Sequence, residues 1–149
     1  MKKVKSLTQL RIAYHDAGHA VLGRVLTLPC GRATIKPDYD EGSANHSICP
    51  DPYACIYEWE KRGKMRDSDN AVWVARILQF MAGAEAEGEL LGTTPQGDGE
   101  DRYQIALMLE EIAPADLDGY EARLRTMTRM LVRRHKASAS QRRFWRRPR

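Results

Sequence analysis

His15-Asp-Ala-Gly-His19 is the feature that most constrains this chain. It lies inside an apolar-periodic stretch, Leu10 to Leu26, where Leu10, Ala13, Ala17, Val21 and Leu22 recur at three-to-four spacing. That spacing is what the buried face of a helix requires. Residues four apart on a helix stack on one face, about 6 Å apart along the axis. The stretch therefore predicts a first helix that aims two imidazoles at one point. Thr8 suits its N-cap, and Pro29 and Gly31 end it. Gly18 and Gly23 each lower helix propensity by roughly 1 kcal/mol, so a packing reason is expected. A glycine beside a ligating histidine lets another backbone pass close.

The rest of the chain reads as three more helices and a small ribbon. Arg32 to Pro37 predicts a short strand, Asp38 to Gly42 a turn, and Ala44 to Cys49 a return strand closed by Pro50-Asp-Pro52. An exposed ribbon edge of this kind can hold an extended peptide by strand addition. Tyr53 to Asp69 is polar and reads as a loop or short mobile helix. A second helix is expected over about Asn70–Leu91, capped by Ser68 or Asp69, with Val72, Ile77, Phe80 and Met81 as its buried stripe. A glycine-rich loop, Thr93 to Gly99, leads to a third helix that begins at Glu100 or Asp101 and ends at Ile112. Pro114 breaks it. A fourth helix starts at Asp116 or Asp118 and runs to about His135, with Leu124, Met127 and Leu131 inward. The fold class expected is therefore mainly α with a small antiparallel ribbon, α+β. The domain spans residues 1–136, and a basic, disordered tail spans 137–149.

Charge sharpens this division. The 149 residues carry a net +4. Residues 123–149 hold eleven Lys/Arg and no Asp/Glu, whereas residues 1–122 hold 13 Lys/Arg against 20 Asp/Glu. The body is acidic and the end strongly basic. The closing Arg142-Arg-Phe-Trp-Arg-Arg-Pro-Arg149 suits nucleic-acid phosphates with aromatic stacking. It equally suits an anionic membrane surface or an acidic partner, and the plain alternative is a solvated, disordered end. No apolar run approaches a membrane span, and the basic N-terminus lacks the apolar core of a secretion signal. Three cysteines, Cys30, Cys49 and Cys55, are unlike a disulfide framework, so a reducing cytoplasm is expected. The spacing of Cys49 and Cys55 near His46 does not match a zinc knuckle, and small buried thiols fit better.

The chemistry centres on the histidine pair. A catalytic zinc takes three protein ligands and keeps one open position. His15 and His19 supply two. Asp101, after a flexible loop and at a helix start, is well suited as the third, although a carboxylate there also suits the helix dipole. A carboxylate beside the first histidine can take a proton from water and pass it to a leaving amine, which gives Asp16 its candidate role. Zincin proteases arrange His-Glu-x-x-His in this way; here Asp16 is one methylene shorter than that glutamate.

Four segments in order extend the likeness: Ala13-Tyr-His-Asp-Ala-Gly-His-Ala-Val21, Ala33-Thr-Ile-Lys-Pro37, Met81-Ala-Gly-Ala-Glu-Ala-Glu87 and Thr93-Thr-Pro-Gln-Gly-Asp-Gly-Glu-Asp101. Over roughly residues 8–112 the chain resembles the peptidase domain of FtsH-type ATP-dependent zinc metalloproteases. The resemblance implies Zn2+ on His15, His19 and Asp101, with Asp16 as general base. It implies a supporting helix from Gln79 to Leu91, in which Glu87 orients a ligand or the water. Ala84 and Gly88 stand where that family has Arg and a second Glu. No Gly-x-x-x-x-Gly-Lys-Ser/Thr loop occurs in these residues. The expected function is thus a zinc-dependent metallopeptidase acting on flexible polypeptides, alone or with a separate unfoldase or adaptor. Two alternatives remain open: a non-catalytic zinc-binding interaction protein of the same fold, and a nucleic-acid-binding protein that acts through its basic end.

Overall fold

The computed structural model describes residues 7–28, 30–33, 46–48, 69–92, 94 and 98–140. Four helices carry the architecture: α1 Leu7–Val25, α2 Asp69–Leu91, α3 Gly99–Ile112 and α4 Leu117–Ser140. The axis is α2, and α1, α3 and α4 pack around it. Its sequence explains this position. Between Val72 and Glu87 nearly every residue is buried, and a helix apolar on most sides must be enclosed by others. Leu22 of α1, Ile77 and Met81 of α2, Ile105 and Leu109 of α3 and Leu124 of α4 meet in one core.

The α+β class expected from the sequence is corrected: the architecture is helical and resembles a four-helix bundle. Cys30–Ala33 (β1) and His46–Ile48 (β2) pair antiparallel, Cys30 opposite Ile48 and Ala33 opposite His46, with an irregular register between. Strands of four and three residues add no layer, because a two-stranded ribbon needs further strands or a packed face to form a unit of its own. The remaining residues of the expected strands, the segment Tyr53 to Ser68, and Cys49 and Cys55 lie outside the described residues, as do 141–149.

Helix ends follow local chemistry. At the end of α1, the Leu28 N–H donates to the Gly23 carbonyl at 2.8 Å and the Thr27 N–H to that of Arg24 at 3.1 Å. This is the paired closure of a Schellman turn, with Thr27 at φ 57° in the left-handed position. At the end of α3, Ala113 takes the same position at φ 49°, and its N–H donates to the Leu109 carbonyl. The Asp116 side chain accepts the Gly119 N–H at 3.0 Å and caps α4. That helix continues through Ser140, past the expected end near His135, and so takes in the first residues of the segment read as a disordered tail.

Charge also holds α4 on α2. The Arg129 Nε–H donates to Glu85 at 2.9 Å and the Arg133 Nε–H to Glu89 at 2.9 Å. Part of the basic C-terminal stretch is therefore matched by the acidic body. No helix among the described residues is long and apolar enough to cross a membrane.

Candidate metal centre

Two stripes at four-residue spacing face each other across the α1–α2 contact. On α1 they are Arg11, His15 and His19; on α2, in reverse order, Glu87, Gly83 and Gln79. The helices run antiparallel, so each turn of one meets one turn of the other. Close approach is possible because Gly18 lies against the backbone carbonyl of Ala82 and the Cβ of Ala86, where an added Cβ would collide. This is the packing reason expected for a glycine between the two histidines.

Each histidine is oriented through its Nδ1. The Nδ1–H of His19 donates to the Gln79 carbonyl at 2.7 Å. The Nδ1–H of His15 donates to Glu87 Oε1 at 2.7 Å. Those bonds direct both Nε2 atoms to the same place, toward Asp101. The first turn of α3 brings Asp101 there, its Oδ2 at 2.8 Å from His15 Nε2 and 3.2 Å from His19 Nε2. The three ligand atoms lie within 4.8 Å of one another, so the group could hold a metal ion. The donor set fits one: a tetrahedral ion at about 2.1 Å from each atom spaces its ligands about 3.4 Å apart, slightly more than the two Asp101 contacts and inside the 4.8 Å that spans all three atoms.

Gly83 leaves the space for this convergence. An added Cβ would come to 2.5 Å from His19 Nε2 and 2.6 Å from His15 Nε2. The group is not fully enclosed, since His15 and Asp101 each keep 15% side-chain exposure while His19 keeps 1%.

Electrostatics favour a cation in the cluster. Burial opposes a charge on His15, but its bonds to Asp101 and Glu87 and their negative charges outweigh that, and its pKa lies above 6.5. Burial likewise opposes the Asp101 carboxylate, yet the bonds from His15 and His19 hold it well below the usual carboxylate range. The two carboxylates that favour a proton on His15 favour any cation placed beside it in the same way.

The sequence-predicted residues are thus placed as follows. His15, His19 and Asp101 meet, and Glu87 contacts His15 directly. Asp16 is buried at 7% exposure, one residue on from His15 and so about 100° around the helix axis from it. Sequence reasoning missed the roles of Arg11, Gly83 and the Gln79 carbonyl. The spacing 11, 15, 19 signalled Arg11, but the two others needed the opposing helix. A cleft of about 540 Å³ lies between α2, the start of α3 and α4, lined by residues including Gly88, Asp98, Arg102 and Arg129. None of the three convergent residues lines it. No family model matches the chain, and neither a curated protein nor a solved structure matches it.

Proposed function

We propose that this chain is a zinc-dependent hydrolase of the metallopeptidase class acting on flexible polypeptides, with His15, His19 and Asp101 as the zinc ligands. The observation that carries the reading is the convergence of His15 Nε2, His19 Nε2 and Asp101 Oδ2, with both rings oriented through Nδ1 and two of the three residues partly exposed. Two imidazoles and one carboxylate leave a zinc ion net positive, as a hydrolytic site needs. When bound, zinc supplies Lewis acidity toward water and a substrate carbonyl.

The chain's own groups do the rest. Glu87 holds the His15 ring and raises its basicity as a ligand. The Gln79 carbonyl fixes the His19 tautomer. Asp16 accepts a proton from water and returns it to the leaving amine, as a carboxylate beside the first ligand can. The 7% exposure of Asp16 also favours a second reading, in which the same centre binds zinc without catalysis and serves an interaction surface.

Elemental analysis of the chain purified without a His-tag tests the centre. About one zinc per wild-type chain is expected, and clearly less in Asp101→Ala. A wild type that arrives metal-free and takes up no added zinc would overturn the proposal. Cleavage of a labelled disordered polypeptide then separates the two readings. Hydrolysis that is lost with a chelator and restored by zinc supports the peptidase. Asp16→Glu should raise the rate by roughly ten- to a hundredfold if proton-transfer distance limits it. A zinc-loaded chain inactive in both forms leaves the binding protein.

A further inference from the structure

Arg11 stands one helical turn before His15 and makes two different bonds with its two ends. Its Nε–H donates toward Glu87 Oε2 at 3.4 Å, and an Nη2–H donates to the Thr94 carbonyl at 2.8 Å. Glu87 is the carboxylate whose other oxygen accepts from His15. Thr94 lies in the connection that delivers Asp101, seven residues further on. One guanidinium thus touches the group that orients the first ligand and the chain that carries the third.

The start of α3 gives that double contact its importance. Its N-cap Asp98 makes no side-chain capping bond, and the Asp98–Arg102 pair is long, at 3.5 Å, with Arg102 mostly exposed. Local capping therefore holds Asp101 only loosely. The bond from Arg11 instead ties the preceding connection to α1, the helix that carries both histidines. A guanidinium suits the task because its donors point in fixed, separate directions, whereas an ammonium is a single point.

We propose that Arg11 is a positioning residue for the metal centre: by bridging Glu87 and the Thr94 carbonyl it sets the distance between the histidine pair and Asp101. The inference rests on the metal-binding reading above but not on catalysis. It concerns a residue outside the three proposed ligands.

Cobalt(II) is the probe, since its visible absorption reports coordination number and its release to a chelator reports how firmly it is held. The wild-type chain should give the intense bands of a four-coordinate ion. Arg11→Gln should give weaker, shifted bands and release cobalt about ten- to a hundredfold faster, as loss of an outer partner of a metal ligand does. Arg11→Lys keeps the charge but reaches only one partner at a time, so it should also release the ion faster. A purely structural role would lower the melting temperature and leave the bands of the folded protein unchanged. Wild-type bands and release rate in Arg11→Lys would overturn the proposal, and that comparison stands alone if Arg11→Gln does not fold. A wild type that takes up no cobalt would overturn the metal centre itself, and this role with it.

Discussion

At the scale of single residues, Gly83 places the sharpest demand on the sequence. Any side chain there enters the space between two imidazole nitrogens. Gly83→Ala should reduce metal affinity about a hundredfold or more, with all three ligands still present, and should cost about 1–3 kcal/mol of stability through overpacking. Isothermal titration with zinc checks the first part and a denaturant melt the second; unchanged affinity would mean that the ion does not sit where the three atoms point. Thr27 is the converse case. A β-branched residue held at φ 57° works against its own sterics, so Thr27→Gly should stabilise the chain by about 1 kcal/mol. An unchanged or lower denaturation midpoint would show that its hydroxyl, which donates to the Leu26 carbonyl at 2.7 Å, outweighs the strain. The titrating pair gives a prediction about sign. The raised pKa of His15 contributes stability that is present below about 6.5, its ordinary value, and lost as pH rises through the higher folded value. The lowered pKa of Asp101 contributes stability present above its ordinary 3.8 and lost as pH falls through the lower folded value. The metal-free chain should therefore lose the His15 contribution as pH rises above 6.5 through the folded value. Zinc must displace the His15 proton, so its own stabilisation should grow over the same range. Melting temperatures across pH 5–9, with zinc and with a chelator, will show whether the two slopes have opposite signs.

At the scale of elements, the helices were legible and their partners were not. Apolar periodicity located α1 through α4, although α2 is buried on most sides and Met127, read as inward on α4, is 47% exposed. The histidine spacing and Asp101 at a helix start were legible as well: both are positions along a helix. The Gly83 and Gln79 contributions were not, since each depends on which turn of α2 faces which turn of α1; for Arg11 only its place on the histidine face was legible, not its partners. Glu85, Glu87 and Glu89 illustrate the same limit. By sequence they suit a solvated face as well as a functional one, yet they hold Arg129, His15 and Arg133, respectively. The ribbon failed as a basis for fold class for another reason. β-branched residues between turn signals suggest strands, but alone they do not say whether a strand pair is an architectural layer or a short local pairing. At this scale Gly18 is the residue to test. Its Cβ would meet backbone, which cannot swing aside like a side chain, so Gly18→Ala should separate α1 from α2. A loss of about 2 kcal/mol or more is expected, with weaker zinc binding, both read from denaturant melts with and without the ion. A neutral effect would mean that the two helices meet less closely than the packing implies.

At the scale of the whole molecule, the proposed centre joins three helices at one end of the core. Asp101 is the only one of the three ligand residues contributed by α3. Zinc at a hundred times its dissociation constant should add about 2.7 kcal/mol to stability, and removing it should loosen α3 before the α2–α4 pair. Hydrogen exchange with and without a chelator can resolve that order; equal changes in all helices would argue against it. The charge division along the chain also takes on a different meaning here. The stretch from Arg123 to Lys136 is basic, but Arg125, Arg129 and Arg133 lean on glutamates of α2 and of α4 itself, so its charge is not all available to an outside polyanion.

The arginine ladder and the histidine stripe both repeat every four residues, yet they differ in how they tolerate error. If α4 slipped one turn along α2, Arg125 and Arg129 would face the glutamates that Arg129 and Arg133 now hold, and the ladder would re-form. If α1 slipped one turn, a histidine would leave the meeting point and Asp101 would face an incomplete set. A metal bound at the proposed centre and requiring all three ligands would therefore proofread the alignment of α1. It can be gained only by chains that have folded in register, whereas the arginines would accept either alignment.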